Sequence, residues 1–182
     1  KYNGKYYLQY SGPGTEFKSY CDAVYVADSP LGPYTVAKHN PFSYKPSGFI
    51  NGAGHGSTFA DVYGNMWHIA TATISQKHMF ERRLVLYPVQ YDAVGSMYTY
   101  TKFGDYPQYM PHKKITNSAD IYTGWMLLSY NKKVTVSSWL PGFDPTNITD
   151  ENIRTYWSAR TGNRGEYAQI DLGELSDVYA LQ

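Results

Sequence analysis

Alternation of apolar and polar positions is the main signal in the first half of the chain. Residues 5–10 (KYYLQY) place Tyr6, Leu8 and Tyr10 on one face, and residues 23–28 (AVYVAD) form a second apolar run. Period-two alternation is typical of a strand with one buried face. Further strands are predicted over 57–62, 66–73, 84–91 and 97–101. No window keeps a helical period over the length of a typical helix, so the chain is predicted to be all-β.

An internal repeat relates two segments of the chain. Gly4 followed by Tyr6 matches Gly64 followed by Met66, and apolar runs with a turn come after both. Repetition of four-stranded units is the pattern that the blades of a β-propeller produce. A plain β-sandwich is the alternative that this pattern leaves open.

The pattern changes after Pro107, which suggests two domains. We expect residues 1–107 to be one domain, which carries the propeller-like repeat, and 108–130 to be a connecting segment. Residues 131–182 are expected to begin a second β domain. Strands are predicted over 125–130, 133–138 and 178–181.

Composition excludes several classes of protein. Sixteen basic and 15 acidic residues are balanced, and the chain has no basic stripe of the kind that nucleic-acid binding needs. No apolar stretch approaches the length of a membrane span, and the single cysteine, Cys21, excludes an intrachain disulfide. The 20 tyrosines suit either strands or a surface that contacts sugars.

The segment Gly52-Ala53-Gly54-His55-Gly56-Ser57 is the most informative local motif. Its glycines let the backbone approach a ligand closely and aim the imidazole of His55 from the start of a strand. The alternative is a hydrogen-bonded structural histidine. A phosphate loop fits poorly, because the segment leads into a strand and no lysine follows.

Charged residues supply the remaining candidates. One of the adjacent pair Arg82 and Arg83 is expected to enter a cleft, since neighbouring strand residues face opposite sides; a surface charge cluster is the alternative. Glu16, in a loop with Gly12 and Gly14, is a candidate substrate-binding residue. The candidate catalytic carboxylates of the first part are Glu16, Asp22, Asp61 and Glu81, and no pair among them stands out as a catalytic dyad. Asp61 precedes a hairpin turn and is predicted to be a structural residue of that turn.

Four motifs in order resemble family 43 of the glycoside hydrolases. They are Gly4-Lys5-Tyr6-Tyr7-Leu8-Gln9-Tyr10-Ser11, Ala27-Asp28-Ser29-Pro30-Leu31-Gly32-Pro33-Tyr34, Gly54-His55-Gly56-Ser57 and Arg82-Arg83-Leu84 with Pro88-Val89 and Asp92. The resemblance implies a five-bladed β-propeller that acts on arabinose- and xylose-containing plant polysaccharides, and it covers residues 1–107.

The resemblance also implies roles for individual residues. His55 corresponds to the central histidine that is associated with a calcium ion or its waters, and Arg82 to the arginine that closes the sugar pocket. The general acid and general base of the family, a Glu and an Asp, are expected upstream of Lys1, so no catalytic residue is assigned here. Gly56 departs from the family, in which an Asn is frequent after this histidine.

The tail resembles the opening of a discoidin, or coagulation factor 5/8 type C, domain. The motifs are Pro145-Thr146-Asn147-Ile148-Thr149-Asp150, Thr155-Tyr156-Trp157-Ser158 and Gln169-Ile170-Asp171-Leu172-Gly173. In bacterial enzymes such domains commonly bind carbohydrate. The fold prediction is therefore a partial propeller (its last blades) followed by a truncated discoidin-like β-sandwich.

The chain is predicted to be a fragment of a bacterial glycosidase that is secreted, periplasmic or at the cell surface. It would be of the β-xylosidase or α-L-arabinofuranosidase type, hydrolysing a polysaccharide or oligosaccharide with inversion through two carboxylates outside this chain. The fragment alone is predicted to be inactive. The alternative is a non-catalytic carbohydrate-binding protein on the same scaffold.

Overall fold

The computed structural model describes residues 1–74, 78, 80–121 and 124–181, with the backbone alone at Phe103. Within these ranges the regular structure consists of ten strands and three short 3₁₀ turns, so the all-β prediction is confirmed. No helix in the described ranges has the length and apolarity required to cross a membrane.

The first four strands form one antiparallel group. β1 (Tyr6–Gly12) pairs with β2 (Cys21–Ala27), and β2 also pairs with the short strands β3 (Thr35–Val36) and β4 (Ser43–Tyr44). The alternation in the sequence is realised in β2, where Val24 is 1% exposed and its neighbours in the strand are half-buried.

The next four strands form an antiparallel meander. β5 (Asn51–Ala60), β6 (Met66–Thr73), β7 (Arg82–Tyr91) and β8 (Met97–Thr99) pair in chain order. A meander of four antiparallel strands is the unit from which a propeller blade is built, so the sheet is consistent with part of a propeller.

The repeat in the sequence has a structural counterpart. Gly4 and Gly64 have φ angles of 79° and 81°, and each lies two residues before the start of a strand, β1 and β6 respectively. Both positions require the left-handed backbone that glycine adopts without strain. The pair β1–β2 therefore corresponds to the pair β6–β7.

Apolar side chains join the two groups of strands. One buried cluster belongs to the meander and comprises Ile50, Ala53, Ala70, Ala72, Val85 and Tyr87. The other draws on both groups and comprises Val24, Ala37, Phe42, Val89 and Met97. A single parallel bridge between Cys21 and Ala53 continues the sheet from β2 to β5.

The chain divides into two compact units, Lys1–Trp125 and Met126–Gln182. In the second unit, β9 (Lys133–Val136) pairs antiparallel with β10 (Ala168–Asp171). The predicted division into 1–107, 108–130 and 131–182 stays a prediction, and residues 75–77, 79, 122, 123 and 182 of those segments lie outside the described residues.

Two predicted strands are wrong. Residues 125–130 and 178–181 have no strand structure, although both are apolar and rich in strand-forming residues. Val178, Tyr179 and Leu181 are 56%, 76% and 95% exposed. Strand propensity measures fit to a pleated, half-buried surface, and in the described part of the chain no neighbouring strand provides that surface.

Candidate functional site

Arg82 is the first residue of β7, and its guanidinium group donates hydrogen bonds to other residues of the protein. Nε donates to Thr71 Oγ1 at 3.0 Å, and Nη1 donates to the carbonyl of Thr15 at 2.8 Å and to Thr73 Oγ1 at 3.1 Å. Nη2 donates to the carbonyl and hydroxyl oxygens of Thr71, at 3.1 and 2.7 Å. A guanidinium carries five N–H donors, and these contacts use all of them. A sugar hydroxyl would therefore have to replace one of these acceptors to accept a hydrogen bond from Arg82.

Tyr20 connects Arg82 with the glycine-rich start of β5. The guanidinium carbon lies 5.2 Å from the centroid of the Tyr20 ring, within the range of a cation–π contact. The same ring covers Gly54, where a Cβ atom would lie 2.6 Å from it. Thr71 Oγ1, which accepts from Arg82, also donates to the carbonyl of Gly54 at 3.2 Å. Arg82 and the residue before His55 are thus held at the same end of the sheet.

Glu16 lies in the loop between β1 and β2, next to the carbonyl that Arg82 holds. The loop turns tightly, since the N–H of Phe17 donates to the carbonyl of Gly14 at 3.1 Å. The Glu16 carboxylate folds over Gly14, where a Cβ atom would lie 2.7 Å from Glu16 Oε2. Because the Glu16 side chain is exposed, the loop presents a carboxylate to solvent beside Arg82.

His55 has an unusual backbone conformation within β5. Its φ angle is 57°, in the left-handed region, which costs a non-glycine residue roughly 1–2 kcal/mol. The pairing of β5 with β6 shifts register between Gly54 and Ser57, so His55 lies in a bulge. Bulges re-aim side chains next to functional sites. His55 is exposed, and its N–H donates to Ser11 Oγ at 2.8 Å.

A buried pair, Asp22 and His68, lies beside this bulge. Their side chains are 1% and 0% exposed, and Asp22 Oδ2 is 2.9 Å from His68 Nε2. Asp22 Oδ2 also accepts from the N–H of Gly56 at 2.8 Å, and Oδ1 accepts from the hydroxyl of Ser11. From the sequence, Asp22 is a candidate catalytic carboxylate only, and His68 has no predicted role. The available signal was the position of both residues in apolar strands, since charged residues are rarely buried there without a partner.

The buried pair explains why residue 56 is a glycine. A Cβ atom there would lie 2.3 Å from His68 Nε2 and 2.4 Å from Asp22 Oδ2. Real Cβ atoms do not approach other atoms so closely, and both neighbours are locked in a closely packed interior. The packing of Asp22 and His68 therefore requires a residue without a Cβ atom at position 56.

The two remaining candidate carboxylates, Asp61 and Glu81, are engaged elsewhere. Asp61 accepts from the backbone of Tyr63 and Asn65 at 2.9 and 2.8 Å, and from the indole of Trp67 at 3.0 Å, as expected of a turn acid. Burial raises the pKa of Asp61, but the hydrogen bonds outweigh it and hold that pKa below its ordinary value. Glu81 is exposed and lies 3.5 Å from Arg83.

The residues at the Arg82 end belong to a segment with known relatives. The family described as Glycosyl hydrolases family 43 matches residues 1–97, which is more than half of the chain. The chain belongs to family 43. This family consists of glycosidases, whose substrates are carbohydrates. No curated protein gives a significant match to the chain.

Solved structures resemble just over half of the chain. A variant of the GH43 protein BlXynB from Bacillus licheniformis is 25% identical, with a TM-score of 0.51 over 57% of this chain and 21% of its own. BlXynB itself is 24% identical, with a TM-score of 0.50 over 54% and 20%. An endo-1,4-beta-xylanase from Bacteroides thetaiotaomicron is 27% identical, with a TM-score of 0.49 over 55% and 35%. The chain thus spans about a third or less of the length of these relatives.

The described residues do not provide a ligand set for the predicted calcium site. Calcium takes six to eight oxygen ligands, mainly carboxylates, carbonyls and waters. In the described ranges no three His, Cys, Asp or Glu side chains come together in a way that could hold a metal ion. His55 alone does not make up such a ligand set, so its association with calcium stays a prediction and no chemistry in this chain is routed through the ion.

Two open hollows lie away from Arg82, at the opposite end of β6 and β7. One has a volume of about 260 Å³ and is lined in part by Met66, Val89 and Tyr91. The other has a volume of about 570 Å³ and is lined in part by His39 and Asp92. The roles of Arg82 and Glu16 in substrate binding, and of His55 at a metal, stay predictions. The structure brings these three residues to one end of the sheet.

Proposed function

We propose that this chain is part of a glycosidase that hydrolyses arabinose- or xylose-containing plant polysaccharides, as a β-xylosidase or α-L-arabinofuranosidase. The observation that carries the proposal is the family 43 match over residues 1–97. The bonds of Arg82 to Thr15, next to Glu16, and of Thr71 to Gly54, next to His55, support it. We also propose that the protein is secreted, periplasmic or at the cell surface, because its proposed polysaccharide substrates lie outside the cytoplasm.

In the proposed enzyme the catalytic carboxylates come from outside this chain. Inverting hydrolysis needs a general acid and a general base roughly 6.5–9.5 Å apart. Of the acids in the first unit, Asp22 is buried against His68, and Asp61 is occupied by its turn. Glu16 is proposed to contact substrate beside Arg82, whose bond to the Thr15 carbonyl is the one that a sugar hydroxyl would replace.

The proposed architecture has two parts with different tasks. The first unit would belong to a five-bladed propeller that carries the chemistry. The second unit would begin a discoidin-like module that binds carbohydrate. A module that binds the polymer raises the local concentration of substrate at the catalytic domain, so tethering would increase the rate on polysaccharide but not on small glycosides.

The test is turnover of aryl α-L-arabinofuranosides and aryl β-xylosides by the full-length protein that contains this chain. Hydrolysis of either class supports the proposal. Absence of hydrolysis on both, with binding of xylan or arabinan retained, would replace it with the second candidate, a non-catalytic carbohydrate-binding protein. Gly56, where the family frequently has Asn, is the departure from the family pattern that leaves room for this candidate.

The same assay on residues 1–182 alone checks where the carboxylates lie. We expect no turnover, because the proposed acid and base are outside this segment. Turnover that Glu16→Gln abolishes would instead place a catalytic acid in the loop between β1 and β2.

A further inference from the structure

The two backbone amides that flank the Cα atom of His55 are both bound by one small group of side chains. The N–H of His55 donates to Ser11 Oγ at 2.8 Å, and the N–H of Gly56 donates to Asp22 Oδ2 at 2.8 Å. Ser11 in turn donates its hydroxyl proton to Asp22 Oδ1. The two amides are thereby fixed to a single carboxylate, one directly and one through a hydroxyl.

The carboxylate is itself immobilised from the other side. His68 Nε2 lies 2.9 Å from Asp22 Oδ2, and His68 Nδ1 lies 3.0 Å from the hydroxyl of Thr58. Gln9 donates to the same hydroxyl at 2.7 Å. All these groups are satisfied when a neutral His68 donates from Nε2 to Asp22 and accepts at Nδ1 from Thr58. Asp22 therefore has no freedom to follow a movement of residues 55 and 56.

This arrangement explains how a strained residue persists in the folded protein. A non-glycine residue with positive φ remains there only when its surroundings over-determine its conformation. The surroundings here come from four strands, because Ser11 lies on β1, Asp22 on β2, Gly56 on β5 and His68 on β6. The exposed imidazole of His55 is thus positioned by contacts that span both groups of strands.

We propose that Ser11 and Asp22 are positioning residues that clamp the His55–Gly56 backbone and so set the direction of the His55 imidazole. The clamp itself follows from the contacts above, whereas its importance for catalysis rests on the proposed function. The pair His68 and Gly56 serves the clamp by holding Asp22 and by leaving room for it.

The first experiment measures amide hydrogen exchange of His55 and Gly56 by NMR in the full-length protein. Asp22→Ala is expected to speed exchange at Gly56 by about tenfold, because a buried acceptor is lost. Asp22→Asn is expected to restore most of the protection, since its amide oxygen can accept from Gly56 while its NH₂ group donates to Ser11. Ser11→Ala, a change at an exposed residue, tests the His55 amide even if Asp22→Ala fails to fold.

Asp105→Ala is the matched control, because Asp105 is also 1% exposed and paired, with Lys45, away from His55. It is expected to lower stability without changing exchange at residues 55 and 56. Unchanged exchange in Asp22→Ala and Ser11→Ala, or equal acceleration in Asp105→Ala, would overturn the proposal.

The second experiment separates positioning from stability in the assay on aryl glycosides. Asp22→Ala is expected to lower kcat on the order of 100-fold with little change in KM, since small displacements of a positioned group cost that much. Asp22→Asn should recover part of the loss, and Asp105→Ala should retain kcat at temperatures where it is folded. If the wild type hydrolyses no glycoside, the proposed function fails, while the exchange measurements still decide whether the clamp exists. Wild-type kcat in a folded Asp22→Ala variant would show that the clamp has no role in catalysis.

Discussion

The backbone at His55 shows how a single residue can be held against its own preference. Glycine on each side relieves crowding, and the bulge in β5 removes the residue from regular pairing with β6. The φ angle of 57° nevertheless disfavours any side chain with a Cβ atom. The backbone of His55 therefore lowers the stability of the fold locally. Strain of this kind is typical of functional sites, which agrees with the role proposed for the imidazole.

We expect His55→Gly to be more stable than His55→Ala by about 1 kcal/mol, because glycine adopts the left-handed region without the Cβ clash. Urea unfolding of the two variants measures the difference. Ser57, two residues later in the same strand, has no positive φ and provides the control. There the order should be reversed, with Ser57→Gly less stable than Ser57→Ala. The same order at both positions would contradict the strain assigned to His55.

At the level of structural elements, long-range polar contacts hold the loops in place. Arg82 at the start of β7 binds the carbonyl of Thr15 in the loop between β1 and β2. Lys45, before β5, forms a buried pair with Asp105 in the 3₁₀ turn Thr101–Asp105. The first contact fixes a loop to the start of a strand, and the second fixes a 3₁₀ turn to the segment before a strand. Strand periodicity predicts neither of these two contacts.

Arg82→Ala should destabilise the first unit by about 1–3 kcal/mol and loosen the loop that carries Glu16. The change leaves the Thr15 carbonyl and the Thr71 and Thr73 hydroxyls without a charged donor. Urea unfolding and limited proteolysis within residues 12–20 measure the two effects. Arg83→Ala is the matched control, since its side chain is 59% exposed and its contact with Glu81 is a surface ion pair. That variant should stay within about 0.5 kcal/mol of wild type, and equal losses would refute the clamp on the loop.

Lys45→Met should cost about 3–5 kcal/mol, because it leaves the buried carboxylate of Asp105 without its cation. The two charged groups lie 2.7 Å apart and are 5% and 1% exposed. Thermal unfolding of the variant tests this. For comparison, Lys5→Met removes a pair with Asp28 that is 50% and 85% exposed, and it should have almost no effect. A small loss in Lys45→Met would mean that the pair contributes little.

Across the whole molecule, carboxylates with a lowered pKa are present in both units. In the first unit, a backbone hydrogen bond from Ser96 lowers the pKa of Asp92 well below its ordinary range, and His39 and Lys38 add to this. In the second unit, the hydroxyl groups of Ser137, Thr161 and Ser138 lower the pKa of Glu166 to about 2. A carboxylate with a lowered pKa stabilises the fold above its ordinary value and loses that contribution as the pH falls towards the lowered value.

Glu166 should therefore make the second unit unfold more readily as the pH falls from 4.5 to about 2, and Glu166→Gln should remove this dependence. The glutamine variant should be the less stable protein at pH 7 and should approach wild type near pH 2. Indole NMR signals follow the units separately in urea. Trp157, bound to Ser138, reports on the second unit, and Trp67, bound to Asp61, reports on the first. A pH dependence at Trp157 that survives in the variant would assign it to other groups.

The sequence by itself determined the strand content, the repeat and the family, because these depend on local alternation and on motifs that are contiguous in the chain. The ends of strands β1, β2, β6 and β7 were predicted to within two residues of their observed positions. His55, Arg82 and Glu16 could be named for the same reason, since their glycine, arginine and loop contexts are local. The failed strands at 125–130 and 178–181 show the limit of this reasoning, because pairing needs a partner that local propensity does not specify.

Only the tertiary structure decided which side chains meet. Asp22 and His68 are 46 residues apart and on strands that do not pair, so no periodicity could link them. The same applies to Arg82, which binds the backbone 67 residues earlier in the chain. Burial then makes these pairings obligatory, because a charge or donor removed from water is costly unless it finds a partner. The residue types near the candidate site were thus readable from the sequence, whereas the contacts that hold His55 and the Glu16 loop in position followed from the fold.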